Sequence, residues 1–310
     1  RDAQQAAGVT NLQSRRVQLF LDGQYWGMYS VMERMSQPQA AAMYGGDPAS
    51  YNVLKQSDTA GYEAEAGSDV DWRRLWDLTD DQVVTDSEYA EINQLIDVTS
   101  LARFIAINAY TANVDGAVSI SLSSALGTNW IAVGGPGHPY TFLATDAELS
   151  LGVDQFDRHS ATGDVFGPFP VLGDNPSYVL GNFNPGWLHS ALLSNPQYRA
   201  TFQAVASSLL QPGGLLDAGP SLSRWNARKA EVAPLMPAEV ARWGHDVPGG
   251  PYSLATWQTE TDWVETQFFP GRTSIVRDQL RAFLLTFRPG SADNDGYGVS
   301  RRLNDAHPVA

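Results

Sequence analysis

Val17-Gln-Leu19-Phe-Leu21-Asp22-Gly23-Gln-Tyr25-Trp26-Gly27-Met-Tyr29-Ser-Val31-Met-Glu33-Arg34 reads as a β-hairpin over 15–33. Val17, Leu19 and Leu21 recur at every second position, Asp22-Gly23 suits a two-residue turn, and Tyr25 to Val31 forms the return strand. Downstream, Ser36-Gln-Pro-Gln opens a short Ala-rich helix that stops at Gly45-Gly46. Residues 51–56 read as a strand, and 61–67 as an acidic loop. From Ser68 the apolar spacing turns helical, with Trp72, Leu75, Trp76 and Leu78 near one stripe. A second helix covers 87–96. A strongly apolar helix follows, capped by Thr99-Ser100 and running through Tyr110. It ends before Asn113-Val-Asp115-Gly116. Three strand-like segments come next, at 117–122, 129–133 and 140–145, with Gly134-Gly135-Pro136-Gly137 as a tight turn. Residues 152–187 are irregular and read as a lid or as a covering loop. Helices are expected at 186–193, 196–210, 221–244 and 256–286, and 289–310 is a polar tail or linker. Strands, helices, a small β insert, then helices make an α+β chain rather than an alternating βαβ one.

The chain has 310 residues, 43% hydrophobic and 17% charged, with a formal net charge of -14. That is enough apolar side chain for a sizeable core. An acid excess argues against nucleic-acid partners, which require clustered Lys and Arg. No apolar run reaches the ~20 residues of a membrane span. With no cysteine, thiolate catalysis and zinc–thiolate sites are excluded. The basic residues are nearly all Arg, since Lys55 and Lys229 are the two lysines. The tryptophans at helical spacing, Trp72, Trp76, Trp225, Trp243, Trp257 and Trp263, read as core.

Five dispersed histidines offer no metal-binding pair, and Gly-x-Ser-x-Gly and Walker motifs are absent. The informative pair is Asp115, in the loop after the most apolar helix, and Asp146, at the end of the strand Tyr140-Thr-Phe-Leu-Ala-Thr, with Glu148 two residues on. A carboxylate at a buried strand end must be solvated, paired or metal-bound. Two readings stand. Asp115 caps a turn and Asp146 is a surface strand end, or both converge on Mg²⁺ as hard oxygen ligands beside a phosphorylated substrate.

The opening hairpin resembles the signature of the CotH family of spore-coat-type, atypical protein kinases: a strand, an Asn-Gly turn, Tyr-Trp-Gly-x-Tyr, then Glu-Arg or Glu-Lys. Asp22 stands for the turn Asn. Gly45-Gly46-Asp47 with Tyr51-Asn-Val-Leu-Lys55 is similar to the family's next block. Asn113-Val-Asp115 falls where it has Asn-x-Asp, and Phe142-Leu-Ala-Thr-Asp146-Ala-Glu148 where it has a strand ending in Trp-Asp-x-Asp or Trp-Asp-Ala-Glu. Leu193-Ser-Asn-Pro-Gln-Tyr-Arg199 and Phe268-Phe-Pro-Gly-Arg272 resemble its helical part. The likeness spans roughly residues 1–286.

The resemblance implies a protein-kinase-like fold over 1–288. A small antiparallel-strand lobe, about 1–60, would precede a larger helical lobe, 61–288, carrying a β insert at 117–146. Arg1-Asp2 to Gly8 is similar to an interior stretch, with further strands expected upstream. The implied activity is ATP- and Mg²⁺-dependent phosphorylation of Ser or Thr in a protein substrate, at an extracellular or cell-surface location. On this resemblance Asp115 lies beside the acceptor hydroxyl, and Asp146, with Glu148, holds the metal. Lys55 reaches the phosphates and Glu33 pairs with it; the alternative for these two is a simple strand-edge ion pair. The chain departs from the family pattern at Ile120, where an Asn metal ligand is expected and only Ser119 or Ser121 could substitute, and at Thr145, where the family has Trp. Those departures point to the other reading, a noncatalytic kinase-fold binding or scaffold protein. A hydrolase using Asp115 and Asp146 as paired carboxylates is the third, and would need a sugar-sized cleft.

Overall fold

The computed structural model describes residues 1–9, 11–57, 61–113, 116, 129–152, 183–245 and 250–286. After a short helix α1 (Asp2–Ala6), strands β1 (Ser14–Leu21) and β2 (Gln24–Met32) form the expected antiparallel hairpin. Asp22 and Gly23 have φ of 49° and 79°, the double left-handed turn that matches strand twist. Helix α2 (Gln37–Tyr44) is capped by the Ser36 hydroxyl and stopped by Gly45, as the sequence suggests.

A second sheet has the strand order β4-β3-β5-β6, all neighbours antiparallel, from β3 (Asn52–Ser57), β4 (Gly61–Ala66), β5 (Trp130–Gly135) and β6 (His138–Ala144). Strand β4 corrects the loop expected at 61–67. Tyr62, Ala64 and Ala66 alternate there with Glu63 and Glu65, and the two acids are held by Lys55 of the paired strand. Acidic composition concealed a period-two pattern. This sheet joins β3 and β4, on either side of residue 60, to the two strands of the β insert. Gly134 and Gly135 belong to β5 and only Pro136-Gly137 makes the turn; a Cβ on Gly134 would lie 2.6 Å from the Tyr140 Cα, so close strand approach requires glycine there.

Helices α3 (Val70–Asp77), α4 (Asp86–Leu95) and α5 (Val98–Thr111) follow the sheet hairpin. The cap of α5 is Asp97, not Thr99-Ser100. Its carboxylate accepts from the Thr99 and Ser100 amides at 2.9 and 3.0 Å. The Ser100 hydroxyl instead accepts the Phe142 amide of β6 at 3.1 Å, fixing helix to strand edge. Leu101, Phe104 and Ile105 are fully buried in the main core, together with Trp72, Trp130 and Phe142. A smaller core on the other sheet face joins Val53, Val133 and Leu143 to Val9, Leu12, Met35 and Ala40.

The last helices are α6 (Pro185–Leu192), α7 (Pro196–Leu210), α8 (Ala218–Val232), α9 (Met236–Trp243), α10 (Leu254–Trp263) and α11 (Phe269–Thr286). The single helix expected over 221–244 is two, because Pro234 and Pro237 remove amide donors and crowd the preceding turn. The helix expected over 256–286 is interrupted by a π-helical turn, Val264–Phe268, just before Pro270, whose missing N–H cannot serve an α-helical ladder. The strand expected at 117–122, most of the 152–187 loop and the 289–310 tail lie outside the described residues. No described helix is long and apolar enough to cross a membrane.

The hairpin docks on α9. Glu239 Oε2 accepts from the Met28 amide and the Tyr25 hydroxyl, both at 2.7 Å, and the Trp243 indole N–H donates to the Trp26 carbonyl at 2.8 Å. Gly27, at φ 148°, lets the helix close; a Cβ there would sit 3.2 Å from the Trp243 indole nitrogen.

Candidate functional site

Strand β6 delivers Asp146. The Thr145 amide still bonds the Asn129 carbonyl at 2.9 Å, so the β5–β6 ladder runs to the residue before it. Asp146 then turns to φ 43°, a left-handed conformation that Asp tolerates, and is exposed, as is Glu148. The chain doubles back and the Leu151 amide donates to the Thr111 carbonyl at 2.8 Å. Thr111 is the last residue of α5. The segment after Asp146 is therefore fastened to the helix end four residues before Asp115.

That helix end is built from amides. Ala112 adopts the left-handed cap, at φ 51°. Asn113, 5% exposed, donates from Nδ2 to Asn108 Oδ1 at 3.1 Å, and Asn108 in turn donates to the Phe104 carbonyl at 2.9 Å. Gly116 packs against both, and a Cβ on it would lie 2.8 Å from Asn113 Nδ2. Residues 113 and 116 flank Asp115 in sequence. Asp115 itself, and Ser119, Ile120 and Ser121, fall outside the described residues.

The N-terminal helix supports the strand that leads to Asp146. Gln4, fully buried, donates to the Phe142 carbonyl at 3.2 Å and accepts the Ala144 amide at 3.0 Å, so one side chain serves the open edge of β6. Asp2 accepts a two-point contact from Arg228 of α8, at 2.6 and 3.0 Å; that hydrogen bond holds the Asp2 carboxyl below its usual range although burial opposes it. Burial, then the like charge of Arg16, lowers the Arg1 guanidinium, while Asp2 and Asp146 act the other way. Arg1 thus lies close enough to Asp146 for their charges to interact, and a guanidinium there is chemistry suited to phosphate oxygens.

Lys55 is placed differently from the expectation. Its Nζ lies 3.1 Å from Glu63 and 3.2 Å from Glu65, and the hydrogen bond to Glu63 above all raises its pKa. Glu33 instead accepts the Gln13 amide at 2.7 Å, across the base of the first hairpin. The expected Lys55–Glu33 pair is replaced because β4 is a strand and brings two nearer acids. Glu65 also binds Arg34; burial raises its pKa, but Arg34 and Lys55 leave it lowered overall.

A cleft of about 590 Å³, lined by Tyr44, Tyr51, Arg103, His138 and their neighbours, lies at the start of β6. Asp146 lies past the other end of that strand, roughly 20 Å along at ~3.3 Å per residue, so the cleft is separate from the carboxylate site. No group of three or more His, Asp and Glu converges among the described residues. Mg²⁺ needs no such cage, since one or two carboxylates plus substrate phosphates suffice. The hard oxygens of Asp146 and Glu148 at an open strand end fit that pattern. Gln4 and the Asn108–Asn113 link escaped the sequence reading. An Asn amid the apolar run Phe104-Ile-Ala-Ile-Asn108-Ala was the available signal for the second, because a buried amide requires partners.

Compared with known protein families, the chain matches the family described as CotH kinase protein over residues 3–268. No curated protein matches it.

Proposed function

The chain belongs to the CotH kinase family, and from that premise we propose that it transfers the γ-phosphoryl group of ATP to a Ser or Thr hydroxyl of a protein. The observation that supports this most directly is the Leu151–Thr111 bond, which draws the segment after Asp146 against the helix end that leads to Asp115. In this reading Asp146, with Glu148, holds Mg²⁺, which when bound neutralises charge on the transferring phosphoryl group. Asp115 orients the acceptor hydroxyl and takes its proton as the oxygen attacks phosphorus and the bond to the ADP oxygen breaks. Arg1, whose charge interacts with that of Asp146, adds positive charge on this side of the site. Lys55 is already committed to two glutamates and has no part in this reading.

Titration calorimetry with Mg-ATP and a phosphotransfer assay test the proposal together. Asp146→Asn weakens nucleotide binding, and Asp115→Asn spares binding while depressing turnover. Absence of heat and of any thermal shift with Mg-ATP defeats the reading. Equal turnover in both variants and the parent defeats the role assignments. The second reading, a noncatalytic binding protein on the same fold, is favoured by Ile120, which offers no oxygen where the family pattern has one. Nucleotide binding without turnover in the parent would select it.

A further inference from the structure

We propose that Arg272 is a positioning residue that clamps the carboxyl end of α5, the turn from which the chain leads to Asp115. The final carbonyls of a helix lack intrahelical donors, and buried ones must find others. At the end of α5, Thr111 O takes the Leu151 amide and Asn108 O takes the Asn113 amide. Of the two carbonyls between, Ala109 O takes the Ala112 amide at 3.3 Å, and one side chain reaches both: Arg272 Nη2 donates to Ala109 O at 2.5 Å and Nε to Tyr110 O at 2.8 Å. A planar guanidinium fits two successive carbonyls where an ammonium would reach one well. Its charge also opposes the negative end of the helix dipole.

The surroundings hold Arg272 in this pose. It is 2% exposed, and its guanidinium sits 5.8 Å from the Phe268 ring. Beside it, the Thr273 hydroxyl donates to Leu216 O at 2.8 Å, and the Tyr110 hydroxyl donates to Ser221 Oγ at 3.1 Å. The π-helical turn Val264–Phe268 sets the angle of approach, because one extra residue in a turn rotates everything after it by about 100°. A single long helix would aim Arg272 elsewhere. Asn113 bonds back to Asn108 within the same last turn, so the loop begins on the residues that Arg272 clamps. Arg272 contacts no substrate in this account; it fixes the platform from which Asp115 acts. Its catalytic meaning rests on the phosphotransfer reading.

Hydrogen exchange on the full chain, comparing segments 109–116 and 130–144, tests the clamp in R272Q and R272K. In R272Q, exchange over 109–116 accelerates about tenfold or more while 130–144 is unchanged. R272K, which retains charge and one donor bond, falls between R272Q and the parent, and decides the matter if R272Q does not fold. In the phosphotransfer assay both variants lose kcat, R272Q by about tenfold or more, with the KM for ATP within about twofold of the parent. Unchanged exchange and kcat in R272K overturn the proposal, as does acceleration spread equally over both segments. A parent protein that transfers no phosphate defeats the preceding subsection instead, and the exchange comparison still decides whether Arg272 orders the end of α5.

Discussion

Glu239→Ala should loosen the β1–β2 hairpin while the rest of the molecule stays folded. A two-stranded hairpin is marginal alone, and much of this one faces solvent; Phe20, Val31 and Met32 are each about half exposed, at 55%, 52% and 47%. Its fastening to α9 is local. Glu239 accepts from Met28 and Tyr25, Trp243 donates to Trp26, and Arg242 lies 5.5 and 4.1 Å from the Trp26 and Trp243 rings. Losing a charged acceptor shared by two donors, in a half-exposed setting, costs about 2 kcal/mol, the low end for such bonds. At about 1.4 kcal/mol per factor of ten, local opening rises roughly 30-fold. Hydrogen exchange of the β1 and β2 amides reads this directly, with the α5 amides as the internal control. Glu239→Gln keeps an acceptor and should recover part of the protection. Unchanged hairpin exchange in folded Glu239→Ala refutes the reasoning, and so does an equal rise in α5. The same contact has a pH signature. Burial, then Glu239, pushes the Tyr25 hydroxyl from 10.0 to about 12. A folded-state pKa raised in this way means docking is fully present below pH 10 and fades as the pH climbs through about 12. Tyrosinate absorbance should show Tyr25 titrating earlier in Glu239→Gln.

Asp97→Ala removes the cap of α5 and should cost about 1 kcal/mol in denaturant unfolding, with Asp97→Asn nearly neutral; a loss confined to the Asn variant would contradict the assigned cap. Gln4→Leu strips donor and acceptor from the edge of β6 and should cost about 2–3 kcal/mol, read as a lowered melting temperature; an unchanged melt would show that the edge is served otherwise. Lys55→Met breaks two partly exposed ion pairs and should cost less than about 1 kcal/mol. Because Lys55 is held by Glu63 and Glu65, Mg-ATP affinity should stay within about twofold of the parent; a tenfold loss would return Lys55 to the phosphates.

Local chemistry was readable in the sequence, and long-range chemistry was not. Asp22-Gly23 announces its turn because only certain residues accept two left-handed conformations in succession. Ser36 and Gly45 bound α2 for similarly local reasons. The strand that ends at Asp146 is visible from its apolar run. Strand β4 was hidden because its glutamates looked like a solvated loop until β3 supplied a cation. The partner of Lys55 was missed for the same reason. The service of Gln4 to Phe142, the Leu151–Thr111 tie and the reach of Arg272 to Ala109 join residues 40 to 163 positions apart, and no spacing rule records such meetings. Asp115 was singled out from its place after the apolar helix and from a motif, and the link of Asn108 to Asn113, with Gly116 packed on both, became apparent only when α5 and its cap were traced.

The union of β3 and β4 with β5 and β6 constrains how the chain is made. Val53 and Leu54 have no strand to shelter them from the β5 side until residue 135 has emerged, and Gln4 has no edge to bind until residue 144 has. At ~5–20 residues per second the first helix would wait roughly 7–30 s for its seat. Throughout that interval the early segments are an unfinished edge within reach of other nascent chains, so the amino-terminal third is where a holdase chaperone would find its work.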